Sequence, residues 1–108
     1  MNRQLEDLAS GRWRELSLAE QMAHIGSEVS RALNWRNKRN AEYSMKATER
    51  ALELIDLSLE SAGSYPRLKE LARLREALVD YFYGTNEYAS SETLWRNYFD
   101  HFNYSARR

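Results

Sequence analysis

The chain has 108 residues, and its 16 lysines and arginines balance 16 aspartates and glutamates, so no net field draws it to nucleic acid or to an anionic membrane. It has no cysteine, which excludes disulfides, thiolate metal sites and a cysteine nucleophile and agrees with a cytoplasmic location. Four glycines and one proline are too few for the turns of an all-β chain, and no run approaches the ~20 apolar residues of a membrane span.

Asn2 to Ala9 reads as a short helix ended by Ser10-Gly11. Ser17-Leu18-Ala19-Glu20 has the form of a capping box, with Ser17 accepting from the Glu20 amide and Glu20 reaching back. From there Met22, Ile25, Val29 and Leu33 recur on one face of a first main helix. Gly26 and Ala32 on it are small enough to let another helix come close. Asn37-Lys38-Arg39-Asn40 is polar and holds two turn-tolerant asparagines, which places a tight reversal there with Asn40 as the next N-cap. Continuous helix is the alternative.

The second helix runs from about Ala41 to Ala62. Its residues Ala41, Met45, Thr48, Leu52, Ile55, Leu59 and Ala62 alternate spacings of four and three, the seam of an antiparallel bundle. Glu49, Glu53, Asp56 and Glu60 form an acidic stripe that faces solvent or pairs with arginines of the third helix. Gly63 is placed as its C′ residue. Tyr43, Ala47 and Ala51-Leu52-Glu53-Leu54 look like the second helix of a tetratricopeptide repeat, but no copy occurs about 34 residues away, so the run stands as ordinary hairpin packing.

Ser64-Tyr65-Pro66 starts a third helix, with proline in the first turn. Leu68, Leu71, Leu74 or Arg75, Leu78 and Phe82 carry it to Gly84. Gly84 to Ala89 is a loop, and Ser90 or Ser91 caps a fourth helix whose apolar positions are Leu94, Trp95, Tyr98, Phe99 and Phe102. The expected fold is all-α: one domain, an antiparallel up-down bundle of four main helices, to which the short N-terminal helix can be added.

Nine of the 13 aromatic residues lie between Tyr81 and Tyr104. Adjacent pairs such as Tyr98-Phe99 point around the helix, so one face cannot bury them all, and each offers ~150–250 Å² of surface. That surplus leads to the expectation of a homodimer, or contact with another protein, through the third and fourth helices, with Phe82, Trp95, Tyr98, Phe99 and Phe102 at the interface. The alternative is that Tyr83, Tyr88 and Tyr104 lie flat on the bundle with wet hydroxyls.

Arg31, Arg36, Lys38 and Arg39 flank Trp35 with no acid between Arg31 and Arg39. Cations beside an aromatic can track a nucleic-acid backbone and stack a base. They can equally be favourable charges at a helix C-terminus, with Trp35 packed inward. Glu20, His24 and Glu28 are four apart on one face, but the Glu-x-x-His pattern of di-iron bundles is absent, so no metal site and no cofactor are expected.

Arg96-Asn97-Tyr98-Phe99-Asp100-His101 places a polar residue directly after an arginine and a histidine five positions on. This motif resembles the signature of the HEPN superfamily, small helical-bundle proteins that are often dimeric and include metal-independent ribonucleases and toxins. The resemblance implies that Arg96 holds a phosphate, His101 acts as general acid and base, and Asn97 orients them on RNA. Residues five apart on a helix point ~140° from each other, so Arg96 and His101 converge only through a subunit partner or a helix end. The plain alternative is an Arg96–Asp100 pair at i,i+4 and a half-exposed His101. The chain also resembles short prokaryotic helical proteins through Arg50-Ala51-Leu52-Glu53-Leu54 and the run from Leu74 to Phe82, a likeness that implies no activity.

Overall fold

The computed structural model describes residues 11–106, so the helix expected over Asn2 to Ala9 lies outside the described residues. Among those described there is no strand. A three-residue turn of helix, α1 (Trp13–Glu15), precedes α2 (Leu18–Asn37), α3 (Ala41–Glu60), α4 (Tyr65–Tyr83) and α5 (Glu92–Ala106). The last four form the antiparallel up-down bundle, and no helix among the described residues is long and apolar enough to cross a membrane.

The boundaries follow from local chemistry. Ser17 Oγ accepts from the Glu20 amide at 3.1 Å while the Ser17 amide donates to Glu20 Oε1 at 3.0 Å, so the capping box is complete. α2 ends in a reversal: the Asn40 amide donates to the Trp35 carbonyl and the Arg39 amide to the Arg36 carbonyl. This is the Schellman arrangement, and its left-handed residue is Arg39, at φ 61°, where glycine is usual. Asn40 then caps α3, its Oδ1 accepting from the Tyr43 amide at 3.0 Å. Ser64 caps α4 and Ser91 caps α5. α3 stops at Ser61, whose hydroxyl donates to the Leu57 carbonyl. Gly63 therefore does not serve as its left-handed C′ residue.

α2 is the central helix. It packs along α3 on one side and α5 on the other, and α4 packs on α3. The α4 and α5 backbones stay further apart, and side chains span the gap. The core is built from Met22, Ile25, Val29 and Leu33 of α2, Ala51, Leu54 and Ile55 of α3, Leu71, Leu74 and Leu78 of α4, and Trp95 and Phe99 of α5.

Three expectations need correction. α3 buries Ser44, Ala47, Thr48, Ala51, Leu54, Ile55 and Ser58, whereas Ala41 is exposed and Met45, Leu52, Leu59 and Ala62 are only partly buried. The inward face is turned toward small polar residues because each has a partner: Ser44 Oγ donates to the Ala32 carbonyl, Thr48 Oγ1 to the Ser44 carbonyl, and Ser58 Oγ accepts from Trp13. A satisfied hydroxyl loses little on burial, and its small size lets α2 and α3 close up. Leu68, near the start of α4, is exposed. Leu94 is exposed too, because it lies about 100° around α5 from the buried Trp95.

Trp13 closes one end of the core. Its indole is buried, Nε1 donates to Ser58 Oγ at 3.0 Å, and its carbonyl accepts from Gln21 Nε2 at 3.0 Å.

Candidate functional site

The aromatic surplus divides into three environments. Trp95 and Phe99 are core residues, 6% and 4% exposed, pressed against α2. Tyr98 and Phe102 are half-buried beside them, with Tyr98 edge-on to both Phe99 and Phe102. Tyr98 donates its hydroxyl to Glu70 Oε1 at 3.0 Å, which bridges α5 to α4. Burial pushes its phenol well above the usual tyrosine range, and the Glu70 carboxylate adds to the shift. Phe82 is half-buried at the far end of α4, edge-on to Tyr81. Tyr83, Tyr88 and Tyr104 are exposed, and the Tyr88 hydroxyl donates to Glu76 at 3.0 Å.

Between α4 and α5 lies an open groove of about 490 Å³. Leu74, Ala77, Trp95 and Tyr98 give it apolar walls, and Lys69, Glu70 and Arg73 give it charged ones. Leu94, 58% exposed, lies on the Tyr98 side of α5, one turn before it. Trp95 Nε1 is buried without a hydrogen-bond partner, alone in this among the buried side-chain polar atoms of the described residues.

Arg96 faces the other way, into a cleft of about 580 Å³ between α2 and α5 that it shares with Ser30, Arg31, Asp100 and Asn103. Its guanidinium is held on three sides: Nε donates to Glu92 at 3.1 Å, Nη1 to Ser30 at 3.0 Å and Nη2 to Asn34 at 2.9 Å. The ion pair is therefore with Glu92, not Asp100. An acid one turn before its arginine has the favourable order on a helix, and Glu92 gains further from the helix N-terminus. The Asn37 amide and then Arg96 hold the Glu92 carboxyl below the usual carboxylate range. Asn97 is exposed. His101 is exposed with its ring edge-on to Phe102. Arg96 points to α2, while His101 lies about 140° around α5 from it and is exposed to solvent.

The basic stretch is distributed as well. Arg31 pairs with Glu28 at 3.0 Å, and Glu28 also holds Arg50 of α3 at 2.9 Å. Trp35 is half-buried, meets Tyr43 at nearly a right angle, and has the Lys38 ammonium 5.1 Å over its ring. Arg36 lies 4.6 Å from the Tyr81 ring centroid. Arg39 is exposed at the turn.

No family model, curated protein or solved structure matches this chain.

Among the described residues, no three His, Asp or Glu side chains gather as metal ligands. From the acidic stripe, Asp56 pairs with Arg75 of α4 through two hydrogen bonds. Two organising residues stand outside the motifs and periodic runs of the sequence. Trp13 stands outside any periodic run. Asp80 looks like one more helical acid, yet its carboxylate accepts from the Glu87 and Tyr88 amides at 2.8 and 3.0 Å and so shapes the loop after α4. Its position one turn before Gly84 is the signal that could have pointed to it.

Proposed function

We propose that this chain is a protein-interaction module that self-associates as a homodimer through the face formed by α4 and α5. The observation that carries this reading is the α4–α5 groove, the one side of the bundle, among the described residues, where neighbouring backbones do not close up. It is apolar along Leu74, Ala77, Trp95 and Tyr98, with Leu94 exposed beside it. A leucine more than half exposed next to an apolar groove gains by ~25 cal/mol per Å² when a second surface covers it. Charged groups at the groove, Lys69, Glu70 and Arg73, supply both signs, as an isologous contact between two copies requires. Light scattering at micromolar concentration tests it. The native chain is expected to run as a dimer, and Leu94→Glu and Ala77→Glu to run as monomers with unchanged helicity. A native monomer under those conditions overturns the proposal.

A second reading rests on Arg96, which lines the α2–α5 cleft and spends only three of its five guanidinium N–H groups on Glu92, Ser30 and Asn34. With His101 exposed on the opposite side, an RNA-acting site of the kind the motif resembles requires two protomers. RNA cleavage in the presence of chelator tests it. Activity lost in both Arg96→Ala and His101→Ala, with oligomeric state retained, supports this reading, and absence of cleavage by the native chain removes it.

A further inference from the structure

Three elements meet at the α2–α3 turn and border an open, second kind of site. Arg36 from the last turn of α2, Arg39 from the turn itself, Ala41, Ser44 and Met45 from the start of α3, and Phe82 from the end of α4 line a pocket of about 220 Å³. It shares no lining residue with the α4–α5 groove.

The pocket has two chemically distinct halves. Met45 and Phe82 make an apolar wall, and the other side is cationic. The Arg36 guanidinium lies 4.6 Å from the Tyr81 ring centroid and 5.7 Å from that of Phe82, so aromatic surface holds it in place while its N–H edge remains for an acceptor. Among the described residues no carboxylate lies within ion-pair distance of Arg36 or Arg39. Glu42, the acid nearest them in sequence, is engaged by Lys46 at 3.4 Å.

Arg39 stands at the left-handed position that closes the C-terminal motif of α2, at φ 61°, where glycine or asparagine is the usual occupant.

We propose that this pocket binds a small organic oxyanion, its anionic head between Arg36 and Arg39 and one aromatic or branched apolar group against Met45 and Phe82. The pocket is smaller than the ~300–1,000 Å³ typical of drug-sized sites, so the apolar part is a single ring or its equivalent. A nucleic-acid strand fits less well, because Trp35, the aromatic a base would stack on, is already met by Tyr43 and Lys38.

The experiment is a backbone-amide NMR titration of the full chain with 3-phenylpropionate and with phenyl phosphate, which separates a carboxylate head from a phosphate one. Acetate supplies the charge alone and benzyl alcohol the ring alone. Saturable shifts confined to residues 36–45 and the end of α4 are expected with at least one of the two aromatic anions and with neither control. Arg39→Gln and Arg36→Gln should each weaken that binding by about tenfold or more. Arg39 is outside the packed core, so its variant keeps the native helicity and the test stands even if Arg36→Gln perturbs the fold. Absence of binding by both aromatic anions overturns the proposal. So does equal binding of either control, or affinity unchanged in Arg39→Gln.

Discussion

Gly26 and Phe99 set how closely α2 and α5 pack. A Cβ built on Gly26 would stand 2.8 Å from the Cβ, Cγ and Cδ1 of Phe99, closer than real carbon atoms approach. The aromatic side chain lies directly on the α2 backbone, and this contact holds the helix that carries Arg96, Tyr98 and His101 against the rest of the bundle.

Gly26→Ala is therefore expected to destabilise the protein, although alanine is the better helix former by about 1 kcal/mol. Overpacking of this kind costs about 1–3 kcal/mol, and the net loss read from the urea midpoint should be about 1 kcal/mol. Gly63→Ala is the control, since nothing lies within 4 Å of a Cβ there. Equal midpoints for the native chain and Gly26→Ala would show that Phe99 can move aside freely.

The Trp13–Ser58 hydrogen bond joins α1 to α3 inside the core. Ser58→Ala leaves the indole N–H buried without a partner and should cost about 1–3 kcal/mol. Trp13→Phe removes that donor but also packing volume. The double variant should lose less than the sum of the two single losses, because the two groups share one interaction. Strict additivity in denaturant unfolding would mean that the bond contributes nothing.

At the α2–α3 turn, Arg39→Gly should stabilise the fold by about 0.5–1 kcal/mol, since glycine takes the left-handed conformation without strain. Arg39→Val should destabilise it, because a β-branched residue is worse there than arginine. If the pocket proposal holds, the glycine variant gains stability and loses the ligand together. A glycine variant no more stable than the native chain would remove backbone strain as an argument at this position.

Acid should unfold the protein partly through Glu20 and Glu92. The Ser17 amide holds the Glu20 carboxyl below its ordinary value of 4.5, and Asn37 with Arg96 does the same for Glu92. A depressed carboxyl stabilises the fold while ionised, so this contribution is present above pH 4.5 and is lost as pH falls through the folded-state value. Unfolding followed by circular dichroism between pH 7 and pH 2 should show a shallower acid dependence for Glu20→Gln and Glu92→Gln than for the native chain. Matching slopes would place the acid sensitivity in other carboxylates.

Helix boundaries were the most legible feature because they depend on residues close in sequence. The Ser17–Glu20 box, the Asn40 cap, Pro66 in the first turn of α4 and a Ser91 cap all act within one turn of chain. The inward face of α3 was misread for a related reason. Apolar periodicity counts leucines and methionines, whereas burial of Ser44 and Ser58 depends on partners 12 and 45 residues away.

The candidate sites were legible as residue types but not as arrangements. Arg96 and His101 stand five apart in any helix, yet only packing against α2 turned Arg96 toward Ser30 and Asn34 and left His101 outside. The pocket at Arg36 and Arg39 was half visible as a run of cations. Its apolar half, Met45 and Phe82, comes from two other helices.

By itself the sequence determined that this is an all-helical bundle and where α2, α3, α4 and α5 begin, and it left residues 37–40 open between a reversal and continuous helix. Those properties follow from capping hydrogen bonds and backbone preferences confined to a few residues. Only the tertiary structure decided which aromatics are core and which charges are neutralised, and that the bundle stays open between α4 and α5. Those properties depend on contacts between residues tens of positions apart, which close only when Gly26, Ala32 and Ala51 let the helices come together.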